Sequence, residues 1–222
     1  MGRMPHLENA CKGKWVDVIF FEVYCFRSSI LEGVMQKPHV PELVVYTGPM
    51  WSGKSRALIG QLELARIAKI PVLLVRPSAD TREPRPGTRF SGEVFHVSRA
   101  SDLFALPYDV YEWIAFDEAQ FFEQDFVRTV KRLLRTGKRV LVAGLDLDFK
   151  EDPFPVMASI LALAHTVHKL KSVCVVCRSF DGTRSQRLTD SRATIQVGGA
   201  DTYEPRCAVC YIPPATDSSD LT

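Results

Sequence analysis

The eight residues Gly48-Pro49-Met50-Trp51-Ser52-Gly53-Lys54-Ser55 match the pattern G-x-x-x-x-G-K-S/T in full. Glycines at those two positions let backbone N–H groups curl around phosphate oxygens, and a helix beginning at the lysine adds its positive end. Lys54 is placed to neutralise the β- and γ-phosphates, and the Ser55 hydroxyl suits Mg²⁺. A second pair of chemical groups stands at Asp117-Glu118, directly after the apolar run Trp113-Ile114-Ala115-Phe116. An acid at the end of a buried strand is well placed to hold Mg²⁺ through its water shell. The next carboxylate points the other way and can take a proton from an attacking hydroxyl or from water. These two motifs describe an enzyme that uses a nucleoside triphosphate. They do not separate a kinase from an ATPase.

Six cysteines are present, and four form the pairs Cys174-x-x-Cys177 and Cys207-x-x-Cys210. Without an export signal, such pairs favour zinc over a disulfide framework. Four thiolates fill a tetrahedral site and leave no open position, so the metal is expected to be structural. The loop it would close holds Gly182, Gly198 and Gly199 with Thr183, Ser185 and Tyr203, and could fold its backbone over a small ligand. Cys11 and Cys25 lack that spacing and read as ordinary thiols.

These groups need rigid elements to aim them. Leu43-Val44-Val45-Tyr46 reads as a short buried strand before the phosphate loop, with a helix from Ser55 to about Ala68 after it. Pro71 to Val75, Trp113 to Phe116 and Arg139 to Ala143 read as further strands. A helical pattern over 121–136 stops at Gly137. The segment 80–92, rich in Pro, Arg and Gly, reads as a loop. Strands alternating with helices predict an α/β fold: a mostly parallel sheet flanked by helices, of the P-loop NTPase kind, with a small C-terminal zinc-bound ribbon or lasso. The expected organisation is an N-terminal extension of unassigned role over 1–40 (a misassigned start before Met35 is the alternative), an α/β domain over 41–170, the zinc-bound lasso over 171–213, and a frayed polar tail over 214–222.

Composition agrees with a globular enzyme. The 222 residues are 46% hydrophobic and carry a formal net charge of only +2, so no global basic field points to nucleic acid as the main ligand. No uninterrupted apolar run reaches the roughly 18 residues of a membrane helix, because Asp17, Glu22 and Arg27 break the nearest candidate. The expectation is a cytoplasmic protein with no membrane partner.

Five segments together resemble a known family, the zinc-containing cytosolic (type II) thymidine kinases. They are TGPMWSGKS at 47–55, ADTR at 79–82, FDEAQFF at 116–122, GLDLDFKEDPF at 144–154 and GGADTYEPRCAVCY at 198–211. The resemblance implies transfer of the ATP γ-phosphoryl group to the 5′-hydroxyl of deoxythymidine, with deoxyuridine the alternative acceptor. It implies a nucleotide site formed by residues 48–55, Asp80, Thr81, Arg82, Asp117, Glu118, Ala119 and Gln120. Glu118 would be the catalytic base, Lys54 and Arg82 would steady the transferred group, and Ser55 and Asp117 would serve Mg²⁺. For the nucleoside it implies walls from Met50, Phe121, Leu145 and Phe154, stacking on Phe149, and contacts from Ser185 and Tyr203. Thr194, Ile195, Gln196, Val197 and Gly198 would present main-chain groups to the thymine edge. Structural Zn²⁺ on Cys174, Cys177, Cys207 and Cys210, feedback inhibition by dTTP and a homotetramer complete what the resemblance implies.

Three departures bear on the base pocket. Gln196 stands where the family usually has an apolar residue, the stretch after Cys177 is one residue longer, and the glycine usual after the residue matching Phe149 is missing. A rival reading from another class is a zinc-ribbon P-loop ATPase acting on nucleic acid. It accounts for the phosphate loop, the acid pair and the cysteines, but leaves the GLDLDF and GGADTY segments without a purpose.

Overall fold

The computed structural model describes residues 40–83, 87–189, 198 and 201–214. Its centre is a six-stranded sheet of β1 (Leu43–Thr47), β2 (Val72–Pro77), β3 (Glu93–Val97), β4 (Trp113–Phe116), β5 (Arg139–Gly144) and β6 (Thr166–Lys169), in the order β3-β2-β4-β5-β1-β6. All neighbouring pairs run parallel. Parallel strands need crossovers, and those crossovers cover both faces of the sheet. That is why β1, β2, β4 and β5 read as near-continuous apolar runs.

Alternate residues of those strands feed two separate cores. Val44, Leu74, Ala115 and Leu141 pack under α1 (Lys54–Ile67) through Leu58, Ile59, Leu62 and Ala65. Val45, Val75, Phe116 and Val142 pack on the other face against α2 (Asp125–Arg135) and α3 (Pro155–Leu163), through Phe126, Val130, Met157 and Ile160. Phe116, Phe122 and Phe126 form an aromatic cluster with centroids 4.9 to 6.0 Å apart, anchoring the segment after β4.

The predicted helices and inner strands are present, with shifted ends. The pattern over 121–136 resolves into a 3-10 turn (Ala119–Phe121) followed by α2, and Gly137 at φ 83° ends it as expected. Two strands had no clear signal in the sequence. Strands β3 and β6 lie at the sheet edges and are largely exposed, so they carry no buried alternation.

Past β6, a two-stranded antiparallel sheet pairs β7 (Arg184–Arg187) with β8 (Tyr203–Arg206). Among the described residues no helix is long and apolar enough to cross a membrane.

Candidate active site

The strand order brings the two acidic and phosphate-binding motifs together. Strand β5 lies between β1 and β4. The loop after β1 and the acids after β4 therefore meet across its end, where Thr47 pairs with Gly144. Ser55 Oγ donates to Asp117 Oδ1 at 2.8 Å. Lys54 Nζ, buried, donates back to the Pro49 carbonyl at 2.7 Å and so braces the loop.

Two glycines in the loop do different work. Gly48 sits at φ +135°, and a Cβ there would lie 2.2 Å from the carbonyl oxygen of Leu170, just past the end of β6. Gly53 sits at φ +86° with nothing near the missing Cβ. Gly48→Ala is therefore expected to lower stability by about 2–4 kcal/mol, from strain plus a backbone collision, and Gly53→Ala by only about 1 kcal/mol. Denaturant midpoints of the two variants test this; equal losses would remove the role given to Leu170.

Glu118 adopts a left-handed conformation, φ 52°, directly after Asp117. This turn sends the two carboxylates to different partners. Asp117 is buried against Ser55 and against Arg76, whose Nη2 lies 3.3 Å from Oδ2. Glu118 Oε2 accepts from Gln120 Nε2 at 2.7 Å and lies 2.8 Å from Arg82 Nη2. Arg82 Nε in turn donates to Asp80 Oδ1 at 2.6 Å. Burial, reinforced by the charge of Glu118, pushes Asp117 up to about 6, while Arg76 and Ser55 oppose the rise. Burial also acts to raise Glu118, but the positive charges of Arg82 and Lys54 outweigh it and hold that carboxyl below its usual range. The adjacent acids thus differ in proton affinity, each set by its own burial and charged partners.

Two cavities adjoin here. The larger is an open cleft of about 410 Å³, bordered by Lys54, Ser55, Arg76, Asp80, Asp117 and Glu118. The narrower, of only about 30 Å³, is walled by Phe121, Leu145, Phe149, Phe154, Ser185 and Tyr203. Met50 and Arg82 border both. A charged cleft opening onto an apolar pocket suits a polyphosphate beside a planar, weakly polar molecule.

Most of the predicted site residues are gathered in this region. Gln120 lines the narrow pocket and not the cleft. Ala119 has its side chain in the hydrophobic core. Thr194, Ile195, Gln196 and Val197 lie outside the described residues, and Gly198 is a half-buried neighbour of Thr202. Ser185 Oγ accepts the N–H of Met50 at 2.9 Å, and Trp51 Nε1 donates to the Tyr203 carbonyl at 3.3 Å. Strands β7 and β8 are therefore tied directly to the phosphate loop.

The motifs did not point to two of the arginines. Arg76, at the end of β2, is the counter-ion of Asp117. Arg187 is buried with its guanidinium 3.6 Å from the Phe149 ring centroid and its Nη2 2.6 Å from the Tyr203 hydroxyl. Its one sequence signal is period two: Ser185 and Arg187 share the buried face of β7.

The four paired cysteines converge as predicted, with their sulfurs all within 4.8 Å of one another. Cys177 and Cys207 are 3.7 Å apart. A tetrahedral zinc with bonds of about 2.3 Å sets its sulfurs about 3.8 Å apart, so this cluster fits the ion. Its chemistry fits too. The Cys177 N–H, against the opposing effect of burial, together with those of Cys207 and Val176, brings Cys174 down to about 6. The neighbouring Cys207 thiol, burial and the thiols of Cys177 and Cys174 push Cys210 up to about 12. Four thiolates at this spacing need a cation to coexist.

A phosphate loop on a parallel sheet, an acid pair across from it and an apolar pocket alongside define a P-loop enzyme acting on a small aromatic molecule. The family model for thymidine kinase matches residues 41–211. The chain is 41% identical over 175 residues to the thymidine kinase of Coprothermobacter proteolyticus, covering 74% of this chain and 87% of that one. It is 40% identical over 184 residues to that of Chloroflexus aurantiacus, covering 76% and 93%. Against that of Mycoplasma mobile it is 36% identical over 174 residues, covering 76% and 86%. A solved structure, the flagellar accessory protein FlaH from Methanocaldococcus jannaschii, overlaps at a TM-score of 0.38 with 15% identity, covering 59% of this chain and 70% of that one, too slight a likeness to bear on the fold. The chain belongs to the thymidine kinase family.

Proposed function

We propose that this chain transfers the γ-phosphoryl group of ATP to the 5′-hydroxyl of deoxythymidine, forming dTMP for nucleotide salvage. Besides family membership, the observation that carries this reading is the junction of the two cavities. Glu118 borders the phosphate cleft, and its partners Arg82 and Gln120 border the nucleoside pocket. A hydroxyl presented from the pocket would meet the γ-phosphate beside that carboxylate. Positioning and charge stabilisation then supply most of the rate, as in phosphoryl transfer generally.

In this reading Lys54 and Arg82 steady the charge on the transferred group. Ser55 and Asp117 would hold Mg²⁺, which neutralises phosphate charge when bound. Met50, Phe121, Leu145, Phe149 and Phe154 enclose the base, and Tyr203 with Ser185 closes the pocket over it. Zinc on the four cysteines is structural. Family membership also supports inhibition by dTTP and a homotetramer, which light scattering of the pure protein would read.

The test is ATP-dependent phosphate transfer by zinc-replete protein with thymidine, deoxyuridine, deoxycytidine or no nucleoside. Formation of dTMP, lost in Lys54→Ala by at least about a hundredfold, is the expected result. ATP hydrolysis without a nucleotide product, rising instead with DNA or RNA, would replace this reading by the nucleic-acid-dependent ATPase.

A further inference from the structure

Gln120 links the two halves of the site: it lines the narrow pocket and bonds Glu118, which borders the cleft. It is buried in the 3-10 turn after Glu118, with both ends of its amide engaged. Oε1 accepts the backbone N–H of Leu145 at 3.0 Å, and Nε2 donates to Glu118 Oε2 at 2.7 Å. A backbone N–H can only donate, so the amide oxygen must face Leu145 and the NH₂ group must face the carboxylate. Arg82 Nη2 lies 2.8 Å from that same Oε2. Oε2 is therefore committed twice, and among the described residues no hydrogen bond occupies Oε1 of Glu118.

From this geometry we infer that Gln120 is a positioning residue that fixes which oxygen of Glu118 receives the proton and ties that oxygen to the nucleoside pocket. The inference rests on the reading of Glu118 as the base. Oε1 takes the proton of the 5′-hydroxyl as its oxygen bonds to the γ-phosphorus. The bond from phosphorus to the β,γ-bridging oxygen breaks, and ADP leaves with that electron pair. The other end of Gln120 holds the main chain at Leu145, a wall of the nucleoside pocket. The carboxylate is thereby kept in register with whatever the pocket seats. Gly144, the residue before Leu145, leaves room for that contact: a Cβ there would lie 3.1 Å from Gln120 Oε1.

Gln120→Met keeps the length and volume of the side chain but removes both hydrogen bonds. Its kcat with thymidine is expected to fall by about 30- to 100-fold, since displacing a reacting group by about 1 Å costs on that order. KM for ATP should stay within about twofold, because the phosphate loop is untouched. The deciding measurement repeats the substitution in Glu118→Gln, where a residue acting through Glu118 should change the residual turnover less than about threefold. Equal falls in both backgrounds would mean a merely structural role and overturn the inference, as would a wild-type kcat in Gln120→Met. If Gln120→Met does not fold, as read by its melting curve, Gln120→Glu serves instead. It can still accept from Leu145 but sets a second anion against Glu118, so kcat should fall with KM for ATP preserved; an unchanged kcat overturns the inference. Wild-type turnover in Glu118→Gln alone would overturn the base assignment itself, a separate failure.

Discussion

Replacing Glu118 by glutamine is expected to lower kcat by about 10²- to 10⁴-fold while ATP still binds. The amide keeps the shape of the carboxylate but cannot accept the hydroxyl proton, so the loss falls on the chemical step. Binding survives because the groups that would meet phosphate lie elsewhere, on the loop and on Lys54, Ser55 and Arg82. Glu118 is the anion that holds Arg82 at 2.8 Å and whose charge reaches Lys54. Removing that charge weakens the hold on both cations, although Asp80 still pairs with Arg82, so nucleotide affinity should be unchanged or higher. Single-turnover kinetics with calorimetric ATP titration separate the two effects. Turnover within threefold of wild type would remove Glu118 as the base; lost ATP affinity would instead make it a part of the phosphate site.

The second large effect is expected from the metal. Stripping zinc with a chelator, or Cys207→Ser, should loosen the segment that carries β7 and β8 and raise the KM for thymidine by at least about tenfold. That is the effect of losing about 1.4 kcal/mol of binding. This segment has little apolar core of its own: Val173, Val176, Phe180, Val209 and Ile212 are exposed, while Cys174 and Cys207 are buried. Small modules of this kind draw their folding energy from the ion, about 10–16 kcal/mol for structural zinc in isolated fingers. The consequence reaches the site through the bond from the Met50 N–H to Ser185 and through Arg187, clasped between Phe149 and Tyr203. ATP affinity at the loop should change much less. Metal analysis beside thymidine kinetics over a chelator series tests this, and a metal-free protein with unchanged KM and melting curve would show that the cysteines hold no structural ion.

Where the chemical groups sit together in one short segment, the sequence was enough to find them. Residues 48–55 carry donors, lysine and hydroxyl in eight consecutive positions, and Asp117-Glu118 announces itself by ending an apolar run. The cysteine pairs are legible because their C-x-x-C spacing is itself the signal, and the fold brings the four thiols together. The inner strands were also readable, since burial on both faces of a parallel sheet demands continuous apolar residues. Edge strands β3 and β6 were not, because one exposed side erases that demand. The rest of the site depends on which strands become neighbours. Placing β5 between β1 and β4 sets Ser55 against Asp117 and brings the Leu145 N–H to Gln120. The β2–β4 pairing puts Arg76 under Asp117, and the β7–β8 pairing lays Arg187 on Phe149. Local chemistry is written in consecutive residues, but an ion pair or a stacked guanidinium exists only where burial and strand order bring distant residues within a few ångströms, and no single segment holds that information.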